Sequence, residues 1–173
     1  LLCIIIAVVV LNARRLKAKN LLLLDRIKEQ DKLEEENERM RSELAIKNSS
    51  ETSTDIEETD KLGAIYLKLR ELMKDPDVFT DPEINRKSIA DKLDTNEKYI
   101  FDTIREYYGV SISDYINNLR LNYARNLLAL PSEKRTIDAI VSDAGVNSRC
   151  VFYRLFKEHY GMTPVEFRRL EAG

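Results

Sequence analysis

The sequence repeats itself once, and the repeat decides what kind of fold is open to it. Residues Arg105 to Tyr115 read REYYGVSISDY and residues Lys157 to Phe167 read KEHYGMTPVEF, the same order of charge, aromatic and glycine at an offset of 157 − 105 = 52. Upstream, Ile100 and Ile104 fall opposite Phe152 and Phe156 at that offset, in each case two apolar residues four apart, the spacing that puts both on one face of a helix. Further back the offset drops to 140 − 89 = 51, with Ile89 opposite Ile140, Ala90 opposite Val141 and Asp94 opposite Gly145. One residue gained or lost in a turn between two matched helical segments is what a duplicated helix-turn-helix unit leaves. Two copies joined by a segment that is itself helical do not make a repeat array.

Few breakers interrupt the chain: 5 glycines and 4 prolines in 173 residues favour long helices over a turn-rich β fold, and no strand is needed anywhere. Net charge is −2, so nucleic-acid affinity has to come from local placement of Lys and Arg. From Leu62 to Gly173 there are 17 basic and 17 acidic residues, so bulk charge does not separate a DNA binder from a protein-interaction module. Cys3 and Cys150 lie in segments of different character and His159 is the sole histidine, which argues against a disulfide and against a zinc site. With no glycine-rich phosphate loop, no Ser-His-Asp arrangement and no metal-ligand spacing, the expectation is a non-enzyme without a cofactor.

Taken in order, residues 1–11 are an uninterrupted apolar run, LLCIIIAVVVL, followed at once by Arg14, Arg15, Lys17 and Lys19. Eleven residues fall short of the roughly 20 that a spanning helix needs, so residues 1–15 are expected to be the C-terminal end of a transmembrane helix with a basic stop-transfer flank. That placement expects a single-pass protein of the inner (cytoplasmic) membrane with its C-terminal domain in the cytoplasm; a buried apolar strand is the alternative. Residues 16–48 carry no Gly or Pro and read as a helical stalk or coiled coil, with Leu16, Leu23, Gln30, Asn37 and Leu44 at a, and Lys19, Arg26, Leu33 and Met40 at d. Asn37 at an a position would favour an in-register pair, hence a homodimer through this helix. Residues 49–60, polar and acidic, read as a flexible linker.

Residues 61–173 read as helices throughout. One runs from about Lys61 to Lys74 and stops at Asp75 to Asp77; Asn85 caps the next, and a turn at Asp94 to Asn96 leads to a helix ending near Tyr108. A long helix from Ser113 to Leu130, with Ile116, Leu119, Tyr123 and Leu127 inward, stops at Pro131. The second unit follows, capped at Thr136 and at Asn147 or Ser148, and Thr163-Pro164 opens a last helix through Arg169.

A unit of this kind presents its second helix to a major groove, with side chains near the helix N-terminus meeting base edges. Base-reading candidates are Arg149, Cys150, Tyr153 and Arg154 in the second unit and Lys98, Asp102 and Arg105 in the first. Candidates for phosphate contact are Lys157, Arg168 and Arg169 near helix ends, and the caps Asn85, Thr136 and Ser148, where backbone N–H groups converge.

The run GVNSRCVFYRLFKEHYGMTPVEFRR closely resembles the second helix-turn-helix of AraC/XylS-type transcription regulators, and INNLRLNYARNLL at 116 to 128, with Arg120 and Ala124, resembles that family's central linker helix. The resemblance covers about Leu62 to Arg169. It implies a seven-helix domain with two DNA-reading subdomains on one rigid linker helix, entering successive major-groove faces of one double-stranded DNA site. Val146, Val141 and Cys150 stand where the family commonly has Phe, Ala and Ser, and Phe101 and Asp102 stand where it often has Ser and Arg. The expected function is a membrane-tethered, sequence-specific regulator that couples an N-terminal sensor to promoter binding. The alternative is a helical scaffold module that kept the fold without DNA binding.

Overall fold

A computed structural model describes residues 2–48 and 57–171; most of the expected linker, 49–56, lies outside the described residues. Among the described residues there are nine helices and no strand: α1 (Leu2–Asn48), α2 (Glu57–Leu72), α3 (Pro76–Phe79), α4 (Arg86–Lys92), α5 (Glu97–Tyr108), α6 (Ile112–Ala129), α7 (Ile137–Asp143), α8 (Arg149–Tyr160) and α9 (Pro164–Glu171). The all-helical expectation holds, with three adjustments of detail. Helix α2 begins at Glu57, so residues 57–60 belong to it and not to the linker. The Asp75-Pro76-Asp77 stop is also a start: Asp75 accepts from the Asp77 N–H and Pro76 fits the first helical position, which makes α3 an eighth helix beyond α1. The cap of α6 is Ser111 and not Ser113, because the Ser111 side chain is the one that accepts from the Asp114 N–H.

The duplicated units fold as duplicates. Helices α4 and α5 pack Ile89, Ala90, Ile100 and Ile104 into one core; α7 and α8 pack Ile140, Val141, Phe152 and Phe156 into a second, and all eight residues are essentially unexposed. Asp94 and Gly145, paired by the alignment, both have positive φ, +50° and +73°. Helix α6 lies between the cores and serves both: Tyr115, Ile116 and Leu119 face the first, Leu121, Ala124 and Leu128 the second, and Tyr123 touches each. A single inner face was expected from Ile116, Leu119, Tyr123 and Leu127; an element flanked by two units needs two.

Two contacts fix one unit against the other. Arg120 on α6 donates from Nε to the Phe79 carbonyl and from Nη2 to the Asp81 carbonyl, both at 2.7 Å, which ties down the loop after α3. Gly145, in the turn of the second unit, lies so close to that loop that a Cβ there would sit 2.0 Å from the Thr80 carbonyl oxygen. Asp94 can be an aspartate because it is exposed, whereas Gly145 is buried against backbone.

Helix α1 does not stand clear of this body. Leu24 and Ile27 are buried in the second core, and Leu23 packs beside it against Gly161. Asp31 accepts from Arg125 Nη1 at 2.7 Å, Glu38 accepts from the Tyr108 hydroxyl at 3.1 Å, and Ser42 accepts from Arg70 Nη1 at 2.6 Å. Ala45 meets Gly63 of α2, where the missing side chain admits the α1 backbone. From Leu24 to Ala45 these residues follow one another at steps of three, four or seven positions, so one stripe of α1 binds both units. A Leu24→Ala change is therefore expected to weaken this docking by about 2 kcal/mol. Amide hydrogen exchange is the check: protection should fall over 20–45 while α8 keeps its own.

The expected heptad stripe is a different face. Leu16, Leu33, Met40 and Leu44 are exposed, with Gln30 and Asn37 between them, while Leu23 alone of the a and d set packs on the domain. At the start of α1, Ile5, Ile6, Val8, Val9, Val10 and Leu11 are exposed as well. No helix of the described residues is long and apolar enough to cross a membrane.

Candidate nucleic-acid interface

Helices α5 and α8 are built alike from the ends inward. Each has 12 residues. Asn96 accepts from the Tyr99 N–H and Ser148 from the Val151 N–H, so both N-termini are capped by a short side chain. Each ends on a left-handed glycine, Gly109 at φ +68° and Gly161 at φ +74°. Between the ends, residues four and eight of each helix are buried, Ile100 and Ile104 in one and Phe152 and Phe156 in the other. That burial turns residues two, five, six and nine outward or to the rim.

Of the candidates in the second unit, Cys150 and Arg154 fall on that outward face and Arg149 opens the helix, while Tyr153 sits at the rim, partly buried against the second core. The Arg149 side chain is 62% exposed; its Nη1 donates to Asp138 Oδ2 at 2.9 Å and its guanidinium carbon lies 5.2 Å from the centre of the Tyr153 ring. Hydrogen bonding to the Tyr153 hydroxyl, with Asp138 next in weight, favours the charged form of Arg149 further. Arg154 is 60% exposed and pairs with Glu158 one turn on, a link that water or a phosphate can replace. Cys150 is exposed and unbonded to another cysteine, and Lys157 is exposed on the following turn. None of these side chains is sealed against a neighbouring helix.

In the first unit Lys98 and Asp102 meet each other at 3.5 Å, and Arg105 is exposed beyond them. Aspartate at this position would repel phosphate; pairing with Lys98 offsets that charge. The repeat pattern also marks Phe101, which falls opposite Tyr153 at the offset of 52 and was not among the candidates. It is 40% exposed, beside Arg105.

The phosphate candidates divide. Asn85, Thr136 and Ser148 each cap a helix, accepting from the N–H of Ser88, Ala139 and Val151. Asn85 also donates to the Glu83 carbonyl, so its side chain is committed to the turn. Arg169 is exposed at the end of α9. Arg168 departs from expectation: Nη1 donates to the Arg135 carbonyl at 2.8 Å, and Nε and Nη2 are shut off from solvent. Its side chain reaches the loop before α7, where Nη1 is committed to backbone. Among the described residues no group of His, Cys, Asp and Glu could hold a metal ion.

The family described as "Helix-turn-helix domain" matches residues 89–170. The Msm operon regulatory protein of Streptococcus mutans is 31% identical over 81 residues, covering 47% of this chain and 28% of that protein. The melibiose operon regulatory protein of Escherichia coli K12 is 28% identical over 90 residues, covering 52% of this chain and 29% of its own length. The chain thus spans under a third of these curated relatives. Among solved structures, the C-terminal domain of AraT, a response regulator from Geobacillus stearothermophilus, superposes with a TM-score of 0.53 at 24% identity, over 61% of this chain and 84% of that one, a likeness of fold.

Proposed function

We propose that residues 89–170, which match a helix-turn-helix domain, form a DNA-binding domain of the AraC type, and that the chain binds double-stranded DNA sequence-specifically and regulates transcription. The observation that carries the reading is the matched pair α5 and α8, each with its apolar side buried and its charged and aromatic side open on a body that Arg120 and Gly145 keep rigid. Relatives that the chain matches over about half of its length are named as operon regulators. In this reading Arg149 exchanges its surface bond to Asp138 for the edge of a guanine, which a guanidinium engages bidentately. Lys157 and Arg169 meet phosphates.

The finer reading concerns α1. The exposed apolar residues from Ile5 to Leu11, followed by Arg14 and Arg15, suit the edge of a bilayer and its basic flank. The exposed stripe of Leu16, Leu33, Met40 and Leu44 suits a second copy of the same helix, with Asn37 fixing the register. Because the docked stripe grips both units, pairing through α1 would set the spacing of two DNA-binding bodies, and a signal passed along α1 would be felt by both.

The test is a binding titration of the full 173-residue chain on duplexes selected from a randomised library. Arg149→Ala should relax preference at one base pair by about 1–3 kcal/mol, whereas Lys157→Ala should weaken all sequences alike and lower the salt slope by about one. Equal losses on every sequence for both changes would reduce Arg149 to a phosphate contact. Absence of any salt-dependent binding would leave a helical interaction module.

A further inference from the structure

Phe101 is the largest apolar side chain left open on either of the two presented helices, and it belongs to neither core. Its place is fixed by its neighbours: Ile100, Thr103 and Ile104 point inward, so the ring stands among Lys98, Asp102 and Arg105 on the outer side of α5. At the equivalent place on α8 stands Tyr153, whose hydroxyl receives Arg149 Nη2 at 3.5 Å. The phenyl ring has no such polar tip. Lys98 and Asp102 are occupied with each other at 3.5 Å, and the Arg105 guanidinium carbon lies 5.9 Å from the ring centre. What the first unit offers a groove at its middle is therefore an apolar surface with charge at its margins.

The one apolar group that projects from the base edges into the major groove is the C5 methyl of thymine. We infer that Phe101 is a specificity-determining residue that packs on a thymine methyl, so that the first unit selects an A·T pair by apolar contact while the second reads through Arg149. Without a methyl opposite it, the ring would be set against polar edges and lose the burial that favours the complex. The inference rests on the DNA-binding reading above and adds what the first half of the site must contain.

The experiment replaces each thymine of a selected duplex, one at a time, by 2′-deoxyuridine, which removes the methyl and leaves every hydrogen-bonding group in place. The half-site of the second unit is the one whose preference Arg149→Ala relaxes; the other belongs to the first. The wild-type 173-residue chain should bind about four-fold more weakly when one thymine of the first half-site loses its methyl, the effect of exposing a single buried methyl-sized group. In Phe101→Ala the same replacement should change affinity less than about two-fold, in Phe101→Leu it should again matter, and replacements in the second half-site should act equally on all three proteins. No sensitivity in the first half-site, or the same sensitivity in Phe101→Ala, overturns the inference while the DNA reading stands. Failure of the wild type to select any duplex overturns both.

Discussion

Gly145→Ala is expected to cost about 2–5 kcal/mol of folding stability, combining the penalty for a side chain in the left-handed region with overpacking against fixed atoms. Residue 145 has φ +73°, and a Cβ built there would come within 2.0 Å of the Thr80 oxygen, 2.7 Å of its carbonyl carbon and 2.9 Å of its Cα. All three are backbone atoms, so no side chain can rotate out of the way. The loop that would have to move is held by Arg120 through two carbonyl groups, each at 2.7 Å. Relief can come only from separating the two units, and the change should therefore lower affinity for a two-part site as well as the urea midpoint. Gly109→Ala is the comparison, since φ is +68° there with nothing within 4 Å; it should show the backbone penalty alone, about 1–2 kcal/mol. Equal losses at 109 and 145 would mean that the units do not press together at Thr80.

Phe156→Ala is expected to cost about 3–5 kcal/mol, the range for emptying a closed aromatic site. Phe156 is fully buried, with ring centres at 5.5 Å to Phe152, 4.6 Å to Tyr160 and 5.8 Å to Phe167, so α8 and α9 lose their shared anchor. The hole also opens beneath Leu24 and Ile27 of α1, which belong to the same cluster. Loss of hydrogen-exchange protection should therefore reach α1 and α9 together. A loss below about 1 kcal/mol would show that the aromatic cluster is not packed in solution.

The sequence made one half of this architecture legible and hid the other for a physical reason. Repeated apolar pairs four apart and small polar caps are local signals, and they placed Ile100, Ile104, Phe152, Phe156 and Thr136 correctly and narrowed the next cap to Asn147 or Ser148. Contacts between distant residues leave no such mark. Asp31 meets Arg125 94 positions away, and Glu38 meets Tyr108 70 positions away, so α1 read as a stalk with a heptad seam when its opposite stripe is docked. Arg168 bonds the Arg135 carbonyl 33 positions away, a contact that nothing nearby in sequence reveals. Phe101 could have been singled out, since the offset of 52 sets it opposite Tyr153, but charge drew attention to its neighbours.

Helices α5 and α8 are expected to meet one duplex together, as two readers on a single body. Hydroxyl-radical footprinting of the 173-residue chain on a selected duplex is the check. Each bound chain should leave two protected windows on the same face of the DNA, centred about one helical turn or 10 base pairs apart, with Arg149→Ala eroding one window and leaving the other. A single window per chain, or two that fade together in Arg149→Ala, would contradict it.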